Sequence, residues 1–218
     1  MESTPVGRKE AGALEYLVTM TTHVPPGTPD EAVGDVRARE AAHTRELAAQ
    51  GHVLRLWRPP VQPGEWRTLG LFAADSQDQL QDVLTSMPLH IWRTDEVTPL
   101  AEHPNDPAVT GVKPGEAAAG GQSEFLTRFH LAIPAGTPDA AVQDAADSEA
   151  MRTRELTRQG HLVRLWKLPG DQEALGLWRA RDPAQMQAIL VSLPQGPWLT
   201  VQTTPLTAHP SDPAAEAG

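Results

Sequence analysis

The 218-residue sequence predicts an α+β protein built from two ferredoxin-like βαββαβ repeats that pair as an internal pseudo-dimer, and three observations predict it. The stretch TRELAAQGHVLRLW from Thr44 returns as TRELTRQGHLVRLW from Thr153, identical at 10 of 14 positions and 109 residues later. Within each copy the hydrophobic spacing alternates between strand-like and helix-like in the order of the split βαβ unit. A run rich in Gly, Pro and Ala, PNDPAVTGVKPGEAAAGGQ, lies between the copies and has little to bury.

The duplication extends outward from this core. EYLVTMTTHVPPGTPDEAV from Glu15 aligns with EFLTRFHLAIPAGTPDAAV from Glu124 at the same offset. After Trp57 and Trp166 the offset falls to 106, so LGLF at Leu69 meets LGLW at Leu175 and TPLAEHPNDPA meets TPLTAHPSDPA. The three missing residues fall in a hairpin loop, which tolerates shortening. The expected boundaries are residues 13–104 for the first repeat, 105–121 for a flexible or extended linker, and 122–213 for the second repeat. A period this long, present twice, is a domain duplication rather than a solenoid.

Each element has a local reason. Residues 15–22 mix β-branched and aromatic types and predict a strand. PPGTPD is a turn, with Asp30, or Thr28 before Pro29, as a candidate helix cap. Residues 30–50 are rich in Ala, Glu and Arg and stop at Gly51, as a helix closed by a left-handed glycine does. HVLRLWR alternates as a strand, residues 59–64 form a Pro/Gly loop, and WRTLGLFAA is the next strand. Asp75 or Ser76 can cap QDQLQDVLTSM, which ends before Pro88. A last strand is expected over roughly residues 91–100. A single such unit leaves one sheet face uncovered, which is the physical motive for pairing.

Composition excludes several classes of function. With 18 basic against 28 acidic residues the formal charge is −10, unfavourable for nucleic acid or anionic membrane surfaces. No apolar run is long enough to span a membrane, and MESTPVGRKEAG lacks an apolar signal core, so a cytoplasmic protein is expected. The absence of Cys removes disulfides, thiolate chemistry and most structural zinc sites.

One residue sits where a core side chain belongs. At 100° per residue Val33, Val36, Thr44 and Leu47 share a helix stripe, with Glu40 near its middle. Val142, Ala145, Thr153 and Leu156 repeat the stripe around Glu149. A desolvated carboxylate has a raised pKa, which suits a proton-transfer base near neutral pH. The plainer alternative is a Glu that reaches an edge or pairs with an Arg. His43, one turn after Glu40, is placed to share or relay a proton, whereas Arg152 follows Glu149 and would hold it ionised. The first repeat therefore looks better equipped for acid–base work.

On the following strand Val53, Arg55 and Trp57 are expected on one face, and Arg164 and Trp166 repeat the pattern. An Arg among large apolar residues can clamp a small carboxylate, or cover a sheet edge, or pair with Glu40. His52 and His161 read as structural. His103 and His209, in HPNDPA and HPSDPA, read as fixing the exit of the chain. His90 precedes the last strand in the first copy only, with Gln195 taken as its replacement. No grouping has metal-ligand spacing, and no phosphate loop or nucleophile elbow is present.

Taken in order and spacing, EYLV, RELAAQGHVLRLWR, LFAADSQDQLQDVLTSMPL and VTPLAEHP resemble muconolactone Δ-isomerase, and LWRARDPAQMQAILVSLP with TTPLTAHP do so in the second repeat. The resemblance implies a dimeric α+β barrel-type pseudo-dimer, no cofactor or metal, and a homo-oligomer. It implies an enzyme that shifts a proton, and with it a double bond, within a small lactone bearing a carboxymethyl arm. Glu40, and Glu149 in the second repeat, then stand as the base, with His43 assisting. Arg55 would hold the arm's carboxylate, with Trp57, His90, Trp92, Arg164 and Trp166 at substrate-binding positions. The sequence departs from the family at PPVQPGEWRTLG and LPGDQEALG after the second strand, and at MPLHIWR and LPQGPWL. The alternative is a non-catalytic module for small-ligand binding or assembly on the same fold. Related folds also handle haem, although no axial His stands out.

Overall fold

The computed structural model describes residues 12–115 and 122–215, which form two compact units. Unit 1 runs to Leu100 and also takes in the C-terminal segment from Thr207, and unit 2 runs from Ala101 to Leu206. The units therefore depart from the sequence repeats at their ends.

Unit 1 contains β1 (Leu14–Thr22), α1 (Asp30–Ala49), β2 (Val53–Arg58), β3 (Trp66–Ala74), α2 (Gln77–Ser86), a 3-10 turn (Pro88–Trp92) and most of β4 (Arg93–Glu102). Its strands lie antiparallel in the order β4-β1-β3-β2. Thr207 and Ala208 extend the sheet beyond β2, opposite Arg58 and Trp57. The expected β-α-β-β-α-β order is present, and the added element is the 3-10 turn, which begins at Pro88 because Pro starts a helical turn readily but cannot continue α2.

Helix ends follow local chemistry. Gly51 takes φ +81°, with its N–H on Ala48 and the His52 N–H on Leu47, a Schellman closure. Ser76 caps α2 by accepting from the Gln79 N–H at 3.1 Å. The start of α1 differs from expectation. Pro29 occupies the cap position without a side-chain bond, and the Thr28 hydroxyl donates to Pro25 instead.

The core of unit 1 lies between the sheet and its helices, with Leu47, Leu80, Val83 and Leu84 packed on Tyr16, Val18, Met20, Leu56 and Phe72. Each fully buried Leu here contributes about 1.5–3 kcal/mol. Strand β2 does not alternate simply. A bulge between Val53 and Arg55 puts Val53 and Leu56 on the helix side and leaves Arg55 and Trp57 on the other. That corrects the expected alternation, because one extra residue inverts every side chain after it.

Unit 2 repeats this plan. It comprises α3 (Pro107–Thr110), β5 (Ser123–Leu131), α4 (Asp139–Arg158), β6 (Leu162–Lys167), β7 (Glu173–Ala180), α5 (Pro183–Val191), a 3-10 turn (Gly196–Trp198) and β8 (Leu199–Ala208) up to Leu206. Strands β8, β5, β7 and β6 are antiparallel in that order, Ala101 and Glu102 pair with β6, and the bulge recurs between Leu162 and Arg164. Where unit 1 packs Val18 on Phe72, unit 2 has Thr127 and Trp178, whose indole N–H donates to the threonine hydroxyl at 2.7 Å. Gly176 makes room, since a Cβ there would overlap the indole.

Part of the segment expected as a flexible or extended linker is packed. Asp106 and Pro107 are buried, and α3 forms one helical turn. Residues 116–121 of that segment lie outside the described residues. No helix among the described residues is long and apolar enough to cross a membrane.

Candidate functional site

Each unit has a cavity between its long helix and its sheet, and a helix glutamate lines each one. In unit 1 the cavity measures about 270 Å³, with Glu40, Ala41 and Thr44 from α1 facing Met20, Leu56 and Thr68 from the sheet. In unit 2 it measures about 340 Å³, with Glu149 and Thr153 facing Phe129, Leu165 and Ala174.

Glu40 is held at both oxygens. The Leu89 N–H donates to Oε2 at 2.8 Å, and Arg93 Nη1 donates to Oε1 at 3.3 Å. Desolvation raises its pKa above the ordinary carboxylate value, against the lowering effects of the Leu89 bond, Arg93 and His43. Glu149 accepts from the Gln195 N–H at 3.0 Å, and burial raises its pKa too. The 3-10 turns missing from the sequence reading position both amides: Leu89 lies within that of unit 1, and Gln195 caps that of unit 2.

Several expectations are corrected here. His43 does not bond to Glu40: Nδ1 lies 3.0 Å from Glu46 and Nε2 lies 2.9 Å from Ser86, tying α1 to α2. Arg152 makes no ion pair with Glu149, although its charge still acts to lower the glutamate's pKa against burial. It binds Glu155 at 2.7 Å and Ser192 at 2.8 Å, the same strut in unit 2. The arginine partner belongs to Glu40, through Arg93, which also lies 2.6 Å from Asp95 and donates to the Leu84 carbonyl at 3.1 Å. Strand register places Leu199 where unit 1 has Arg93. Gln195 corresponds to Leu89 by its amide, so Gly196 stands opposite His90.

Arg55 is not a clamp facing the cavity. It is buried, its Nε and Nη2 donate to the Asp212 carboxylate at 3.1 and 3.0 Å, and it stacks on Trp57 at 4.8 Å. Asp212 also accepts from the Leu56 N–H at 3.0 Å. Arg164 repeats the arrangement with Asp106, the Leu165 N–H and Trp166. The bulge aims these arginines away from the helix side. His90 is exposed, and Trp92, half-buried, contributes its carbonyl to the His23 N–H at 2.7 Å. Neither side chain lines the cavity.

The residues that sequence reasoning missed are His209 and His103. Anchored by Asp212, the C-terminal segment brings His209 into the unit 1 cavity, and Asp106 does the same for His103 in unit 2. The Ser211 N–H donates to His209 Nδ1 and the Asn105 N–H to His103 Nδ1, both at 3.1 Å, so each neutral ring carries its proton on Nε2. Burial, with nearby Arg58 in one case and Lys167 in the other, lowers both pKa values to about 4. The recurrence of H-P-x-D-P-A was the available signal, in which Asp docks the segment and His faces the ligand space.

Arg37 and Arg58 complete the unit 1 cavity. Both are exposed, Arg37 stacks on Trp66 at 5.2 Å, and neither has an ion pair among the described residues. Among the described residues no cluster of three or more His, Asp or Glu could hold a metal.

A pH dependence of stability follows from the histidines. Their depressed pKa values make neutral His favourable in the fold, a contribution present above pH 6.5 and lost as pH falls through about 4. Glu40 and Glu149, with raised values, work in the opposite direction, stabilising below their ordinary value of 4.5 and losing that as pH rises. The double variant His103→Asn, His209→Asn retains the turn acceptor and both glutamates. Its Tm is expected to fall less than the unmodified protein's between pH 7 and pH 4.5, as measured by thermal melts across that range.

The family model for muconolactone delta-isomerase matches residues 14–106 and again 123–212. Among curated proteins, a muconolactone delta-isomerase from Cupriavidus pinatubonensis is 34% identical over 90 residues, which is 41% of this chain and 95% of that protein. Muconolactone delta-isomerase 1 from Acinetobacter lwoffii is 33% identical over 90 residues, 41% of this chain and 91% of its own length. Among solved structures, a chlorite dismutase from Candidatus Nitrospira defluvii matches with TM-score 0.60 at 12% identity, covering 91% of this chain and 92% of its own. A heme-binding protein from Thermus thermophilus matches with TM-score 0.59 at 12% identity, covering 96% and 98%. At such identity these structures share the fold alone.

Proposed function

We propose, from the premise that the chain belongs to the muconolactone delta-isomerase family, that unit 1 is a cofactor-independent isomerase site for a small lactone carrying a carboxylate. The observation that carries this reading is Glu40, a desolvated carboxylate lining a cavity whose other charged side chains are arginines.

Glu40 takes a proton from the acidic ring carbon, and the electron pair moves into the lactone carbonyl as a dienolate. The same carboxylic acid returns the proton to another ring carbon, so the double bond shifts and Glu40 is again ionised. The His209 Nε2–H donates to the oxygen on which charge develops, and being neutral it does so without becoming a competing acid. Arg37 and Arg58 take the carboxylate arm, the task first assigned to Arg55. The second repeat's Glu149 is the corresponding base candidate in its own cavity. The α+β barrel pseudo-dimer, repeat boundaries near 13–104 and 122–213, and self-association belong to the same proposal. Sedimentation at several concentrations tests self-association.

His209→Asn retains the acceptor for Ser211 and removes the donor to the substrate. It is expected to lower kcat by about 10- to 1000-fold with a smaller change in KM, the signature of a donor that works in the transition state. Stopped-assay kinetics on a carboxymethyl-butenolide read this split, and an unchanged kcat would remove His209 from the mechanism. Solvent-deuterium incorporation into the lactone tests the whole reading. Ligand binding without any exchange would make unit 1 a binding module.

A further inference from the structure

The two cavities are built alike and charged oppositely. In unit 1 the lining has three arginines, Arg37, Arg58 and Arg93, to one carboxylate, Glu40. In unit 2 it has one lysine, Lys167, to three carboxylates, Glu149, Asp171 and Glu173. The substitutions are position by position, because the repeat offset sets Ala146 against Arg37 and Lys167 against Arg58, and strand register sets Leu199 against Arg93. Thr22 and Met20 give way to Leu131 and Phe129 on the strand that floors the cavity. Glu173 reaches Arg128 at 3.6 Å, but that arginine is half-exposed and does not line the cavity.

A carboxylate entering unit 2 would be desolvated beside Glu149, in a lining where Lys167 faces three carboxylates and the arginines of unit 1 have no counterpart. The hydrogen-bonding device is nevertheless retained, since His103 is oriented as His209 is, with its proton on Nε2. What remains is a space with apolar walls, one neutral donor, and three carboxylates against the single lysine of the lining. We infer that the unit 2 cavity is a second ligand site, selective for an uncharged, largely apolar carbonyl compound, so that one chain carries two sites of opposite charge preference. This does not depend on catalysis at Glu40, and it would stand in a protein whose first cavity only bound its ligand.

A site-resolved titration tests it. Two butenolides differing only in charge, the carboxymethyl compound and its methyl ester, are titrated into the full chain while methyl NMR signals are followed. Leu131 and Leu199 report on unit 2, and Met20 and Met87 on unit 1. The ester is expected to saturate the Leu131 and Leu199 shifts at a Kd at least about tenfold below that of the acid, as a like-charge penalty dictates. The acid is expected to saturate Met20 and Met87 first. Equal or tighter binding of the acid at Leu131 and Leu199, or no saturating shift with ester up to millimolar, overturns the inference. Leu199→Arg restores the arginine of unit 1 and is expected to abolish or invert the preference in unit 2. A preference left unchanged by it would overturn the electrostatic basis. Loss of activity in Glu40→Gln with these shifts unaltered bears on unit 1 alone.

Discussion

Glu40→Gln is expected to lower kcat on a carboxymethyl-butenolide by about 10²- to 10⁴-fold while leaving the protein folded. The amide cannot take a proton from carbon at neutral pH, yet its oxygen can still accept from the Leu89 N–H. Arg93 loses one carboxylate and keeps Asp95, so no buried charge is stranded. Because burial opposes ionisation of Glu40, the neutral amide is expected to leave Tm unchanged or raised near pH 7. In the unmodified protein the acid limb of kcat/KM should titrate above 4.5, following Glu40, rather than near 4, where His209 titrates. Turnover, thermal melts and a pH–rate profile check the three parts, and full activity in the variant would end the assignment of Glu40 as base.

Asp212→Ala is expected to cost about 3–5 kcal/mol of stability, because it removes the Asp212 carboxylate from the buried Arg55 guanidinium and leaves the Leu56 N–H without that acceptor. In a chain of this size that corresponds to a Tm lower by roughly 10 °C or more. The variant also releases the segment that brings His209 to the cavity, so kcat is expected to fall in the fraction that remains folded. Arg55→Ala,Asp212→Ala should cost clearly less than the two single changes together, since each single change already removes the same ion pair. Denaturant melts of the four proteins form the cycle. Additive single effects would show that Arg55 and Asp212 do not act as a pair.

The features legible in sequence were those generated by near neighbours. The duplication, the order of strands and helices, the Gly51 closure and the Ser76 cap all arise from periodicity or chain-local hydrogen bonding. Glu40 and Glu149 were legible for the same reason, since a polar residue inside an apolar helix stripe is visible at 3.6-residue spacing. The partners of the site were not. Arg93 is 53 residues from Glu40, and Asp212 is 157 residues from Arg55. The bulge in β2, which no residue in VLRLW announces, decides that Arg55 turns from the helix side.

The amino-acid sequence alone thus determined a doubled split βαβ unit with an acidic residue on the buried stripe of each long helix. Tertiary structure alone decided which arginine attends Glu40 and which line the cavity with no ion pair among the described residues. It also decided that the HPSDPA segment supplies a neutral histidine to unit 1, and HPNDPA one to unit 2. Charge pairing and burial act through space, and an ion pair between residues far apart in the chain leaves no periodic trace in the order of the amino acids.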